Sequence, residues 1–106
     1  MANRISLLAP AKDLEVGKAA ILAGADAIYI GAPRFGARQA AGNSLEDIEQ
    51  LVQFARPFGV QVLVTLNTLL TEDEMPEAVH LAWQLYHIGV HALIIQDLRL
   101  LEQNLP

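Results

Sequence analysis

A glycine followed by a run of apolar residues occurs three times along this sequence, each time after a stretch with helical character. The glycines are Gly24, Gly59 and Gly89, which are 35 and 30 residues apart. Glycine just past a helix adopts the left-handed backbone conformation that ends the helix. A repeat of about 30 residues with one helix and one strand is the size of a βα module. The repeat therefore predicts an α/β fold.

The apolar runs are mostly continuous rather than alternating, which is typical of parallel strands covered by helices. We predict strands over residues 5–8, 27–30, 60–66 and 92–95, with 98–102 opening a fourth helix. Right-handed crossovers would carry each intervening helix to the same side of the sheet. Four parallel strands in βα units correspond to half of a (β/α)8 TIM-like barrel. An open, flavodoxin-like sheet is the alternative.

Three helices are predicted between the strands. The first spans about 13–23, and Ser44 caps the second. Apolar residues of the second recur on one helical face: Leu45, Ile48, Leu51, Val52, Ala55 and Phe58. Thr71 and Glu74 have the spacing of a capping box at the start of the third. Its predicted buried stripe is Met75, Val79, Ala82 and Tyr86, widened by Ala78, Leu81 and Leu85.

The composition limits what so short a chain can be. It has 106 residues, of which 53% are hydrophobic and only 18% charged. Such a chain either fills its interior unusually well or presents apolar surface to a partner or to missing chain. We predict one partial barrel domain over residues 1–106, with about four βα units. The net charge of -5 argues against binding nucleic acid or membranes through bulk charge.

The sequence contains no cysteine, so it has no disulfide, thiolate metal site or cysteine nucleophile. This fits a reducing cytoplasm, and the N-terminus lacks the pattern of a signal peptide. We therefore predict a cytoplasmic protein that does not associate with membranes. His80, Gln84 and His87 share one helix face but have no convergent carboxylate, so we interpret them as a polar outer face rather than a metal site.

The one long connection, residues 31–43, follows the second predicted strand. It therefore belongs to the strand C-terminal edge, where barrels and doubly wound sheets place their sites. Its glycines do not match the dinucleotide or P-loop patterns. Arg34 and Arg38 flank Phe35 in this loop, and together they can hold a carboxylate, a phosphate or a nucleobase. The other interpretation is that both arginines are simply solvated.

Polar residues also end the third and fourth predicted strands. Thr65, Asn67 and Thr68 close the third strand, and Gln96 and Asp97 close the fourth. Asn and Gln can orient a substrate, and Asp can act as a general base. Asp97 can equally be the N-cap of the helical segment that begins at Leu98, so both interpretations of this residue stay open.

Five sequence strings in this order resemble the collagenase-like peptidase family U32. They span residues 7–11, 24–29, 35–38, 64–68 and 92–97. Asn43–Ser44 and Leu66–Asn67–Thr68 are most similar to the branch linked to hydroxylation of a cytidine in 23S ribosomal RNA. His91 departs from the family pattern, which has an acidic residue at that position.

The resemblance implies an N-terminal barrel fragment that contributes to the substrate pocket of an oxygen-independent RNA hydroxylase. It implies a ribosomal RNA substrate, prephenate as a co-substrate, and an iron–sulfur cluster on four cysteines in a missing C-terminal part. No cofactor is expected in this chain itself. Four candidate substrate-binding residues match the family strings and lie at predicted strand ends: Arg38, Asn67, Gln96 and Asp97. Arg34 and Tyr29 are secondary candidates.

Two other functions are compatible with the sequence. The family label suggests a peptidase, although these residues supply neither a nucleophile set nor a metal set. The chain can also be a non-catalytic half-barrel that assembles, because four buried-type strands leave two unpaired edges. For the isolated chain we expect no catalysis, and we expect a homodimer or larger species unless the missing half of the barrel is present.

Overall fold

The computed structural model describes residues 5–33, 42–66 and 69–106, in which parallel strands alternate with helices. The strands are β1 (Leu8–Ala11), β2 (Ala27–Gly31), β3 (Gln61–Leu66) and β4 (Ala92–Ile95). The α-helices are α1 (Leu14–Leu22), α2 (Leu45–Ala55) and α3 (Glu74–Ile88). Short 3-10 helices follow α2 at Arg56–Phe58 and β4 at Leu98–Glu102.

The sheet has the strand order β1-β2-β3-β4, and every neighbouring pair is parallel. A flavodoxin-like sheet would have its first strand between the second and third, with helices on both faces. Here buried residues of α1, α2 and α3 share one core with buried residues of the sheet, including Ile28 and Val64. The sequential order and the single helical layer confirm the predicted half of a (β/α)8 barrel.

The two faces of the sheet differ sharply in burial. The face covered by helices carries Ile28, Ile30, Val62 and Val64, each at most 1% exposed. We call the opposite side the open face; in a complete barrel it would line the interior. The strand registers assign these side chains to the open face: Leu8, Pro10, Ala27, Tyr29, Gly31, Gln61, Leu63, Thr65, Ala92 and Ile94. None of them is charged.

The helix ends follow the sequence signals closely. Asp13 and Ser44 accept hydrogen bonds from the amides of Val16 and Asp47, which caps α1 and α2. Thr71 and Glu74 form the predicted reciprocal capping box, with N···O distances of 3.0 and 3.2 Å. The three repeat glycines have positive φ angles of 104°, 68° and 105°, as expected where glycine ends a helix.

Two local predictions were wrong. The first strand is Leu8–Ala11 rather than 5–8, because Pro10 does not end it. Leu7 O accepts from the amides of Asp26 and Ala27, so the parallel alternation turns the Pro10 backbone away from β2, where no N–H is required. Tyr86 is not part of the buried stripe of α3. It is 58% exposed, and the stripe runs through Met75, Ala78, Leu81, Ala82 and Leu85.

Both outer strands leave one side without a partner among the described residues, since β1 pairs with β2 and β4 with β3 only. The self-association expected from these edges stays a prediction at this point. In the part of the chain that the structure describes, no helix combines the length and apolarity needed to cross a bilayer.

Candidate functional site at the strand C-terminal edge

The C-terminal ends of the four strands lie along one edge of the sheet, because all four strands are parallel. Lys12 follows β1 at this edge and is exposed. Gly31 ends β2, Thr65 lies one residue before the end of β3, and Gln96 follows β4. In barrels this edge carries the chemistry, whereas the opposite edge serves stability.

Two polar side chains flank the backbone of Gly31. A Cβ atom placed on Gly31 would lie 3.8 Å from Asn43 Nδ2 and 3.9 Å from Thr65 Oγ1. Asn43 Nδ2 donates to Gly31 O at 3.0 Å, and Ala32 N donates to Thr65 O at 3.0 Å. An amide and a hydroxyl thus border one small space over a residue without a side chain. We call this arrangement the Gly31 site.

Tyr29 lies on the open face, two residues before Gly31 on the same strand. It is half-buried, unlike its fully buried neighbours Ile28 and Ile30. Alternation along the strand therefore directs Tyr29 to the face that carries the Gly31 site. A phenol, a hydroxyl and an amide on one uncharged surface can form hydrogen bonds with a neutral polar ligand such as a nucleobase.

Asp97 is 4% exposed and has its acceptor capacity used within the protein. Its carboxylate accepts from Leu70 N at 2.9 Å and from Arg99 N at 3.1 Å. Arg99 also binds it through two side-chain nitrogens, Nε at 3.0 Å and Nη2 at 2.6 Å. The same Nη2 donates to Leu70 O. Asp97 thus joins the segment after β3 to the segment after β4.

The hydrogen bonds from the Arg99 side chain, followed by the bond from Leu70 N, hold the pKa of Asp97 far below its ordinary value. The carboxylate in turn raises the pKa of Arg99. A carboxylate stabilised in this way is a poor general base, because a base works best with a pKa near the operating pH. Of the two interpretations of Asp97, the geometry supports the N-cap. Its carboxylate accepts from Arg99 N at the start of the 3-10 helix Leu98–Glu102.

Gln96 directly follows β4, and its amide donates to Leu66 O at 3.3 Å. Gln96 is exposed at the strand C-terminal edge. Gln96 lies one residue beyond the end of β4, so the alternation within the strand does not extend to it. Its assignment as a substrate contact stays a prediction.

Three of the predicted substrate-binding residues, Arg34, Arg38 and Asn67, lie outside the described residues. Their assignment stays a prediction. Two residues at the edge were not among the candidates. In the sequence Asn43 stands out only as part of a family string, and Lys12 does not stand out because the predicted first strand ends three residues before Ala11, the observed end. A Lys directly after an apolar strand was the available signal for Lys12.

The part of the chain described by the structure has no cluster of side chains that could hold a metal ion. No three His, Asp or Glu side chains are grouped there closely enough to hold a metal ion, and the sequence has no Cys. The residues present therefore do not fit an iron–sulfur cluster, whose irons require thiolate ligands.

Comparison with known proteins supports the family that the order of strands and motifs suggests. The profile of peptidase family U32 matches residues 12–104. The 23S rRNA 5-hydroxycytidine C2501 synthase of Escherichia coli K12 is 52% identical over 104 residues, which cover 98% of this chain and 16% of that protein. The tRNA hydroxylation protein P1 of Bacillus subtilis 168 is 35% identical over 91% of this chain and 23% of its own length.

A solved U32 peptidase, Mk0906, has the same fold. It superposes with a TM-score of 0.68 and 13% identity, covering 96% of this chain and 45% of the solved chain. This chain therefore spans less than a quarter of the two curated relatives and slightly under half of the solved structure. The family profile covers most of the chain, and the sequence identities agree with it. The chain belongs to peptidase family U32.

Proposed function

We propose that this chain is the N-terminal barrel segment of a longer enzyme that hydroxylates a cytidine of 23S ribosomal RNA. The observation that carries the proposal is the 52% identity to the Escherichia coli synthase across 98% of the chain. The similarity to a tRNA hydroxylation protein supports RNA as the substrate class. A ribosomal RNA substrate would place the parent enzyme in the cytoplasm.

The role we assign to this segment is to hold and orient the base. The open face is uncharged and offers the hydroxyl of Thr65, the phenol of Tyr29 and the amide of Asn43 near the Gly31 site. Hydrogen-bonding groups of this kind suit the neutral edge of a cytosine. Exposed Lys12 supplies a positive charge at the same edge for a phosphate. We propose Gln96 as a further contact, and keep Arg34, Arg38 and Asn67 as predicted contacts.

The oxidation itself is assigned to other parts of the parent. Conversion of cytidine to 5-hydroxycytidine replaces a C–H bond with a C–OH bond, a two-electron oxidation that requires an oxygen donor and an electron acceptor. The described residues offer no metal-binding group, and the chain has no thiolate. We therefore propose that any iron–sulfur cluster is bound elsewhere in the parent and that residues outside this segment carry out the oxidation.

The test is complementation of an Escherichia coli strain that lacks the synthase. The full-length protein containing this segment should restore 5-hydroxycytidine in 23S ribosomal RNA, measured by mass spectrometry of the isolated RNA fragment. If the RNA stays unmodified while the protein is expressed and folded, the proposed function is wrong.

Gly31→Ala sharpens this test. The added methyl group meets only ordinary contacts of 3.8 and 3.9 Å, so the fold should accept it while the Gly31 site is filled. We expect modification to fall by about 100-fold, the loss typical of an ångström-scale misplacement. Thr65→Val should also reduce it. Ala92→Val, on the same face but at the opposite end of the sheet, is the matched control and should retain activity.

Proteolysis is the second candidate, favoured by the family name and by the solved peptidase. Of the two serines in the chain, Ser44 is occupied in capping α2. An assay of peptide cleavage by the same full-length protein, run beside the RNA measurement, separates the two functions. Peptide cleavage without RNA modification would favour the peptidase.

A further inference from the structure

We infer that Asn43 selects cytosine over uracil, because the backbone of β2 fixes the orientation of its side-chain amide. The inference rests on the proposed function, in which a cytidine of ribosomal RNA is held at the Gly31 site. It adds which residue reads the base and which edge of the base is read.

Asn43 is held between two anchored segments. On its helix side, Ser44 caps α2: its Oγ accepts from Asp47 N at 3.1 Å, and its carbonyl accepts from Ile48 N at 3.1 Å. On its strand side, Asn43 Nδ2 donates to Gly31 O at 3.0 Å. The side chain is also half-buried, so its position is set by the fold rather than by solvent.

The bond to Gly31 fixes which end of the amide is the donor. A primary amide has an oxygen that accepts and a nitrogen that donates, and the two ends are similar in shape. An unrestrained amide can therefore turn over and match either a donor or an acceptor at the same place. In Asn43 this rotation would bring Oδ1 against Gly31 O, leaving two acceptors in contact and no hydrogen bond. Gly31 O thus holds the amide in one orientation.

The fixed amide still has hydrogen-bonding groups to offer a ligand. Nδ2 carries two hydrogens, of which Gly31 O takes one. Within the described part of the chain, Asn43 Oδ1 accepts no hydrogen bond. Nδ2 lies 3.8 Å from the position of a Cβ atom on Gly31, so this amide borders the Gly31 site. A ligand there can use one N–H and one oxygen.

Cytosine and uracil differ in the groups that would meet this amide. Cytosine has an acceptor at N3 and a donor in its 4-amino group, whereas uracil has a donor at N3 and an acceptor at O4. The amide of Asn43 can donate to N3 of cytosine and accept from its 4-amino group. Opposite uracil the same orientation sets donor against donor and acceptor against acceptor. A bidentate contact of this kind discriminates between bases by roughly 10- to 100-fold.

Thr65 borders the same site but cannot make this distinction. It is the partner of Gly31 in the parallel ladder, and its Oγ1 lies 3.9 Å from the Cβ position of Gly31. A hydroxyl rotates and can either donate or accept. We therefore assign to Thr65 affinity for both bases and to Asn43 the preference for cytosine.

The first experiment measures binding of the full-length protein to short 23S ribosomal RNA fragments that differ only at the target base. The bases are cytosine, uracil and 2-pyrimidinone, which lacks the 4-amino group of cytosine but keeps the acceptor at N3. The native protein should bind the cytosine fragment roughly 10- to 100-fold more tightly than the uracil fragment. It should also bind the cytosine fragment more tightly than the 2-pyrimidinone fragment. Equal affinity for all of them would overturn the inference without any variant.

The second experiment repeats these measurements with Asn43→Ala protein, whose fold is checked by circular dichroism. This variant should bind the cytosine and 2-pyrimidinone fragments equally, because the group that recognises the 4-amino group is gone. Thr65→Val should weaken binding of the cytosine and uracil fragments alike. Ser44→Ala is the matched control, since it removes the neighbouring helix cap, keeps the Asn43 amide and should retain the preference for cytosine.

The outcomes separate this inference from the proposed function. If the native protein leaves ribosomal RNA unmodified in the complementation test, the function fails and the inference fails with it. If the RNA is modified but Asn43→Ala keeps the full preference for cytosine over 2-pyrimidinone, only the inference fails. A loss of preference in Ser44→Ala as large as in Asn43→Ala would also overturn it, because the start of α2 would then determine the preference.

Discussion

At the scale of single residues, the Asp97 carboxylate joins two segments that are distant in sequence. It bridges Leu70 and Arg99, while Arg99 Nη1 extends the contact to Glu72 Oε1 at 3.4 Å. The Arg99 contact with Asp97 is bidentate, the geometry in which charge-assisted hydrogen bonds are strongest. These contacts indicate that Asp97 holds the segments at the strand C-terminal edge in position.

Because the folded-state pKa of Asp97 is lowered, its contribution to stability is present at neutral pH and is lost as the pH falls. The loss should begin at about pH 5, as carboxylates protonate in the unfolded chain. We expect Asp97→Asn to be less stable than the native chain at pH 7, with a smaller difference in acid. Urea unfolding at a series of pH values measures the difference in unfolding free energy between the variant and the native chain. Equal differences at every pH would contradict it.

His91 stands where the family resemblance predicts an acidic residue, and it performs the same local task as Asp26. Asp26 Oδ2 accepts from Leu7 N at 2.7 Å, and His91 Nδ1 accepts from Val62 N at 3.1 Å. Each residue immediately precedes a strand. Asp26 accepts from the residue just before β1, and His91 accepts from a residue within β3. The departure at His91 therefore retains a hydrogen-bond acceptor.

Replacement of His91 tests this equivalence. His91→Asp should preserve most of the stability, because a carboxylate can also accept from Val62 N. His91→Ala should cost about 1 kcal/mol, the typical net value of one hydrogen bond. Denaturant unfolding at neutral pH compares the two variants. If the Asp and Ala variants lose the same stability, Nδ1 is not acting as the acceptor we describe.

At the scale of elements, α1 and α2 approach closely at Gly17. A Cβ atom on Gly17 would lie 2.8 Å from Leu51 Cδ1, and Leu51 is fully buried. Helix propensity alone makes a glycine inside a helix a weak point, since Ala is favoured there by about 1 kcal/mol. In this structure the missing side chain makes room for the neighbouring helix.

Gly17→Ala should therefore not stabilise the protein as helix propensity alone suggests. Overpacking costs about 1–3 kcal/mol, which offsets the propensity gain and leaves a net loss of up to about 2 kcal/mol. Leu51→Ala removes the contacting atoms, so in that background the same change should be stabilising. A double-mutant cycle by denaturant unfolding checks this. Additive effects would contradict the proposed contact.

At the scale of the whole molecule, the helix-covered face of the sheet holds the fold and the open face is available for binding. Ile28 is 0% exposed on the first face and Ile94 is 42% exposed on the second. Ile28→Val should cost about 0.5–1.5 kcal/mol. Ile94→Val should have a smaller effect on the unfolding of dilute, monomeric protein. Equal losses under those conditions would mean that the two faces contribute equally to the core.

Most of the architecture was predictable because its causes are local. Glycines at the helix ends, capping residues at Asp13, Ser44 and Thr71, and continuous apolar runs act within a few residues of their positions in the chain. The first strand was misplaced because the effect of Pro10 depends on which side of the strand has a partner. Tyr86 was misassigned because its exposure depends on what packs against α3.

The sequence by itself determined the repeating βα units, the parallel sheet and the family, since each follows from patterns along the chain. The tertiary structure decided that Asp97 joins the segments after β3 and β4, because its partner Leu70 is 27 residues away in the sequence. It also decided that Asn43, Thr65 and Gly31 border one space. Contacts between distant residues depend on how strands align and helices pack, and that alignment is set by the core as a whole.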